Sequence, residues 1–313
     1  MSTEAFQIPV AMFVFNRPST TRRVFQAIAD RRPAKLLLIA DGPRESNAAE
    51  AESCRIVRDI ISKVDWPCEV FENFSDKNLG CRERMISGLN WVFSLVEEAI
   101  ILEDDCLPDS SFFPFCEELL NKYRHDTRIA YIAGSNLVER YGSTDNSYYF
   151  SRIGGIWGWA TWRSEWQRYD RHLRDWPQVK AENMLAEIFD DSKVVAFWTS
   201  IFNSMHEDRG PNTWDYQWLY TNFINNSLII VPKVNLIANI GFGEGATHTT
   251  SIDSRFILPT TALEFPLKHP PELIPLRSLD RPRALDMLPP SFLVKVSKNI
   301  PRVSKRLFRL LSD

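Results

Sequence analysis

Val10–Phe15 is an unbroken apolar run, closed by Asn16-Arg17-Pro18. Leu36–Ala40 is a second, closed by Asp41-Gly42-Pro43, and Cys68–Phe71 a shorter third, closed by Glu72-Asn73. Ala99–Leu102 is a fourth, closed by Glu103-Asp104-Asp105. Helical patterns fill the gaps: from Pro18 to about Asp30, from about Asn47 to Val64, and from about Cys81 to Val96. In the last of these Met85, Leu89, Val92, Phe93 and Val96 recur on one face. Strands that are apolar throughout and alternate with helices predict a parallel sheet covered on both faces. Such sheets bind ligands beyond the carboxyl ends of their strands. Arg17, Asp41, Asn73 and the acidic triplet all fall at those ends.

The second half carries a weaker pattern. Ile129–Ala133 and Ser227–Val231 read as strands. Tyr148–Trp162, rich in glycine and aromatics, reads as a loop or a strand pair. Thr213 is placed to cap a helix through Trp214-Asp215-Tyr216-Gln217-Trp218. Residues 241–251 form a Gly/Thr-rich loop containing His248, and from Pro259 to Pro290 recurring prolines predict irregular packing or linker. The expected organisation is a catalytic domain over 1–255 and a proline-rich segment with a basic tail over 256–313.

Composition narrows the chemistry. A formal charge of −3 over 313 residues offers no electrostatic footprint for nucleic acid. The five cysteines are odd in number and none form a C-x-x-C pair, so neither a disulfide framework nor a zinc site is expected. No apolar run is long enough to span a membrane, and Met1–Gln7 shows no secretory signal, so the expected location is the cytoplasm. Residues 291–313 hold six basic side chains and one acid, leaving −8 for the rest. Read as a helix from Pro301, this tail sets Val303, Leu307, Leu310 and Leu311 against Arg302, Lys305, Arg306 and Arg309. That separation suits either peripheral contact with an anionic membrane or packing on the protein's own core.

Neither a G-x-G-x-x-G nor a G-x-x-x-x-G-K-[ST] loop is present. A diphosphate held here would need a metal ion to neutralise it. The acidic triplet offers the oxygen ligands that magnesium and manganese prefer. As a plain solvated charge run, three successive acids after a buried strand would repel one another. Asp215 is either a general base or an acid favoured by the helix dipole, with Asp170, Asp175, Asp190 and Asp191 as other candidate bases. Arg17 and Asp41 either contact a nucleotide or pair with each other. Trp159 is either core or a sugar-stacking platform.

These residues together resemble the GT-A-fold, nucleotide-sugar-dependent glycosyltransferases, and the N-acetylglucosaminyltransferase I family in particular, over roughly residues 8–245. The resemblance rests on Phe15-Asn16-Arg17, Asp41, the basic Arg82-Glu83-Arg84 helix, Ile100–Asp105, Pro108–Phe113, Gly158-Trp159 and Trp214-Asp215. It implies a Rossmann-like mixed, mostly parallel α/β sheet with helices on both faces. It further implies that Asp105, with His248 as a later ligand, binds Mn2+ or Mg2+. Glu103, Asp104, Arg17, Asp41 and Arg84 would contact the nucleotide-sugar donor, UDP-sugar favoured, and Asp215 would be the base of an inverting transfer to a glycan or lipid-linked glycan. A sugar-phosphate nucleotidyltransferase is the alternative, although Asn16-Arg17-Pro18-Ser19 stands where such enzymes carry a glycine-rich loop. A sugar-binding module without turnover is the other.

Overall fold

The structure is a computed structural model and describes residues 5–241 and 258–289. His248 and the tail 291–313 lie outside the described residues. The chain alternates β1 (Val10–Val14), α1 (Pro18–Arg31), β2 (Lys35–Ala40), α2 (Ala48–Ile61), β3 (Glu69–Phe74), α3 (Gly80–Leu95) and β4 (Glu98–Glu103). It continues with β5 (Cys106–Pro108), α4 (Phe112–Tyr123), β6 (Ile129–Ala133), β7 (Tyr148–Ser151) and β8 (Trp159–Trp162). Then follow α5 (Arg163–Trp166), α6 (Trp176–Ala181), α7 (Leu185–Ile188), α8 (Ser192–His206), α9 (Asp215–Ile224), β9 (Leu228–Pro232), β10 (Ile237–Asn239) and α10 (Arg277–Asp286).

Eight strands form one sheet in the order β3-β2-β1-β4-β8-β6-β9-β7. β3, β2, β1 and β4 pair in parallel, as do β6 and β9, while β8 and β7 run antiparallel to their neighbours. The expected α/β class, with a mixed and mostly parallel sheet, is observed.

Alternating side chains of the apolar strands feed two opposite cores. Val10, Met12, Val14, Leu36 and Leu38 pack with α1, α2 and α4. Ala11, Phe13, Leu37 and Ile39 pack with Met85, Leu89, Val92 and Phe93 of α3 and with Trp214 and Trp218. Two-sided burial explains why these strands are apolar at every position. A third cluster, centred on Trp176, Trp198, Phe202 and Tyr220, joins the helices of the second half.

Four expectations need correcting. β3 runs on through Glu72 and Asn73 to Phe74, because it is a half-exposed edge strand that tolerates polar residues within it. Tyr148–Trp162 does contain two strands, but they do not pair with each other: β7 pairs with β9, and β8 lies between β4 and β6. Thr213 does not cap α9, whose N-cap is Trp214 with no side-chain cap. The proline-rich stretch contains α10, which bears Pro282 within it and buries Leu279 and Ala284.

Candidate active site

The carboxyl ends of β1, β2 and β4 open onto one cleft of about 360 Å3. Arg17, Asp41, Arg84, Glu103, Asp104 and Asp105 all line it, so chain-distant residues that were expected to act on one donor do share one space. Asn73 does not line it and instead receives the Arg84 guanidinium on its backbone and side-chain oxygens, the latter at 2.9 Å.

The three acids at the end of β4 have different surroundings. Asp104 is buried and its Oδ2 accepts the backbone N–H of Phe15 at 3.0 Å, fastening the end of β1 to that of β4. Asp105 turns Oδ2 into the cleft, where Arg17 Nη1 donates to it at 2.6 Å. The Arg17–Asp41 pairing considered from sequence is thus replaced by Arg17–Asp105. Ile240, just past β10, donates its N–H to the Asp105 carbonyl at 2.8 Å. At the next residue, Gly241, a Cβ would lie 2.2 Å from Asp105 Oδ2 and 2.7 Å from Arg17 Nη1, so only glycine permits the chain to lie this close over the pair.

Negative charge is in excess here. Burial first, then the neighbouring Asp105, Asp104 and Asp215, push the Glu103 carboxyl up to about 8, against the opposing pull of Arg17. Burial and Asp105 push Asp104 up to about 7. Burial, with Glu103 and Asp215 next, pushes the Cys81 thiol on the cleft wall up to about 12. Asp215 therefore lies close enough to the cleft for its charge to be felt at both Glu103 and Cys81.

Asp41 lies at the cleft with its carboxylate already engaged. It accepts N–H groups from Gly42, Leu79 and Gly80 at 2.9 to 3.0 Å and the Asn78 amide at 3.1 Å. The first turn of α3 has no side-chain cap of its own. Asp41, from the end of β2, supplies the missing acceptor and a charge favourable to the helix dipole. Arg84 is buried, and burial lowers its pKa; its Nε has no hydrogen-bond partner among the described residues.

Asp215 is the first residue of α9, and Thr213 Oγ1 donates to its Oδ1. Behind it stands an aromatic wall. Trp214 stacks on Trp159 with ring centroids 5.5 Å apart, and Trp166 and Trp218 pack beside them. Trp159 is fully buried, which makes it core rather than a sugar platform. The rival acids are engaged elsewhere: Asp170 with His172 and Arg174, Asp175 with Tyr220, and Asp191 with the start of α8. Asp190 and Asp191 line a separate groove against α10.

Sequence reasoning missed several cleft residues. Arg44 pairs with the buried Glu50 at 3.0 Å, and Glu50 also accepts from Asn16 at 3.0 Å, tying the loops after β1 and β2 together. Asn78 and Asn212 line the cleft as well. Arg44 follows Asp41-Gly42-Pro43 directly, a signal that was readable; Asn212 enters from a distant loop and left none.

Among the described residues no group of three or more His, Cys, Asp or Glu side chains converges as a metal cage. The donor set nonetheless fits an ion that takes most of its shell from phosphate and water, the usual habit of Mg2+. Asp105 presents an oxygen to the cleft, and a cationic guanidinium already stands against it.

The fold and site together define a mixed α/β protein with an acid-rich cleft at the carboxyl edge of its parallel strands. No protein-family model matches the chain, and no curated protein matches it in sequence. Solved structures to which the chain shows some similarity include the mannosyltransferase PcManGT from Pyrobaculum calidifontis in complex with GDP-Man and Mn2+. It is 10% identical, with 71% of this chain and 70% of that one covered and a TM-score of 0.38. The 4-diphosphocytidyl-2C-methyl-D-erythritol synthase from Anaerococcus prevotii is 12% identical, with 59% and 84% covered and a TM-score of 0.35. A UDP-glucose pyrophosphorylase complexed with UDP-glucose is 11% identical, with 72% and 90% covered and a TM-score of 0.35.

Proposed function

We propose that the chain is an inverting, divalent-metal-dependent glycosyltransferase that moves a sugar from a nucleotide-diphosphate donor, UDP-sugar favoured, to a glycan or lipid-linked glycan. The observation that supports this most is the meeting of Arg17, Arg84, Glu103 and Asp105 in one cleft, with Asp215 entering from a separate helix beside it. In this reading Asp105, with His248 as a second ligand, would hold Mn2+ or Mg2+, which would supply positive charge for the leaving diphosphate. Arg17 donates to a diphosphate oxygen as a charge-assisted partner. Glu103 faces the donor sugar, and Arg84 lies toward the nucleobase of the donor. Asp104 and Asp41 act on the donor through the backbone they fasten.

Asp215 accepts the proton of the acceptor hydroxyl, its carboxylate oriented by Thr213. As that proton leaves, the acceptor oxygen bonds to the anomeric carbon and the bond to the diphosphate oxygen breaks. A single displacement of this kind inverts the anomeric centre. The tail 291–313 is read as a peripheral membrane contact; sedimentation with anionic liposomes, comparing the full chain with one ending at Pro290, tests it.

The deciding experiment incubates the full chain with UDP-, GDP- and dTDP-sugars in Mn2+. Metal-dependent release of nucleoside diphosphate is expected. Release of pyrophosphate from a nucleoside triphosphate and a sugar phosphate would instead assign a nucleotidyltransferase. No turnover of either kind, with donor bound, would leave a binding module.

A further inference from the structure

Arg82 sits on the first turn of α3 and is buried to 8% exposure. Its guanidinium does not reach the cleft. It enters the irregular segment between α8 and α9, where it donates to the carbonyls of Thr213 at 3.2 Å, Pro211 at 2.5 Å and Gly210 at 3.4 Å. It also pairs with Asp208 at 2.6 Å, and its own N–H donates to Asn212 Oδ1 at 3.3 Å. Asp208 is largely exposed, so that ion pair alone is worth little. Three carbonyls converging on one buried guanidinium are a different matter. A planar fork can serve three acceptors in different directions, and an ammonium on a flexible stem cannot hold the same set.

The segment gripped in this way ends one residue before Trp214 and two before Asp215. Trp214 is fixed on the other side by its stack on Trp159 and by the Tyr169 hydroxyl, which donates to its carbonyl at 3.2 Å. α3 is itself tied down by Asp41 through the N–H groups of Leu79 and Gly80. Gly80, at φ +78°, carries no side chain because a Cβ would meet Asn212 Nδ2 at 2.9 Å, so the helix start and the segment lie against each other. We infer that Arg82 is a positioning residue: it fixes the 208–213 segment on the first turn of α3 and so sets where Asp215 stands relative to the donor cleft. The inference rests on the reading of Asp215 as the base and adds the residue that places it.

The test compares wild type with Arg82→Lys and Asp208→Asn, by transfer kinetics and by amide hydrogen exchange over residues 208–216. Misplacing a reacting group by about 1 Å costs on the order of 100-fold in rate. Arg82→Lys is therefore expected to lose about 10- to 100-fold in kcat, with donor KM within about threefold, and to speed exchange in 208–216 while the rest of α3 stays protected. Asp208→Asn is expected to stay near wild type in both. Parallel loss of donor binding and kcat in Arg82→Lys would make Arg82 a donor-site residue, and unchanged kcat would show that the segment holds without it; either overturns the inference. Arg82→Gln guards against loss of fold in the lysine variant, since it removes the charge and most of the fork in a smaller side chain, and the same split is expected. Loss of cooperative unfolding in both variants would assign Arg82 to the fold and overturn the inference. The exchange arm is independent of turnover. If the protein transfers no sugar at all, faster exchange over 208–216 still shows the grip of Arg82, and the failure then belongs to the proposed function.

Discussion

At the ends of β1, β2 and β4, polar groups emerge directly from buried apolar strands, and each reaches the cleft because parallel strands finish on one edge. Asp215 arrives by another route. It begins a helix packed on a wall of tryptophans and is held by a loop that Arg82 grips from α3. The first region places its charges by sheet topology, the second by side-chain packing. Binding and proton transfer should therefore fail separately when each is perturbed.

The largest expected effect tests that separation. Asp215→Asn should lower transfer by about 10²- to 10⁴-fold, with nucleoside diphosphate affinity within a few-fold of wild type, measured by steady-state kinetics beside calorimetric binding. If affinity falls with rate, the two regions are not separable.

Trp218 is fully buried between Tyr131, Trp159 and Trp166. Its replacement by Ala should cost about 3–5 kcal/mol of stability in urea unfolding. The exposed edge residue Val70, 37% exposed on β3, should cost less than about 1 kcal/mol when cut to Ala. Equal losses would mean that the aromatic wall is no more constrained than the sheet's rim.

Arg17→Met should weaken nucleoside diphosphate binding by about tenfold or more, the worth of a charge-assisted hydrogen bond, and leave unfolding midpoints nearly unchanged. A further effect is one of pH, and its sign is fixed by the two buried acids of the triplet. Glu103 and Asp104 keep their protons up to about 8 and about 7 in the folded chain, whereas the unfolded chain loses them near ordinary carboxyl values. Across that interval the folded state binds more protons, so stability should fall as pH rises from about 5 to about 8. Urea midpoints over this range check the sign, and Glu103→Gln should flatten the slope.

Much of the first region was legible because its signals are local. Val10–Phe15, Leu36–Ala40 and Ala99–Leu102 are apolar on both faces, and each is followed at once by its polar residue. The second region hides its logic in contacts between distant segments. β8 lies between β4 and β6, an order that no run of residues announces. α8 carries Val194, Phe197, Trp198, Phe202 and Met205 on one buried face, a helical spacing that is legible in the sequence. α10 was hidden by Pro282, since proline normally ends a helix. The three-residue strands β5 and β10 are too short to give a pattern, yet their pairing brings Gly241 over Asp105. Arg82 reads in sequence as one more basic residue on a helix, and only its burial and its three carbonyl partners distinguish it.

In the proposed function, the cleft at the end of β4 binds a nucleoside diphosphate together with a divalent ion through Asp105. Thermal unfolding of wild type and Asp105→Ala, with UDP or GDP and with or without Mn2+, tests it most directly. Nucleotide and metal together should raise the wild-type midpoint, neither alone should do so to the same extent, and Asp105→Ala should show no joint effect. An Asp105→Ala protein stabilised by nucleotide and metal as strongly as wild type would contradict it.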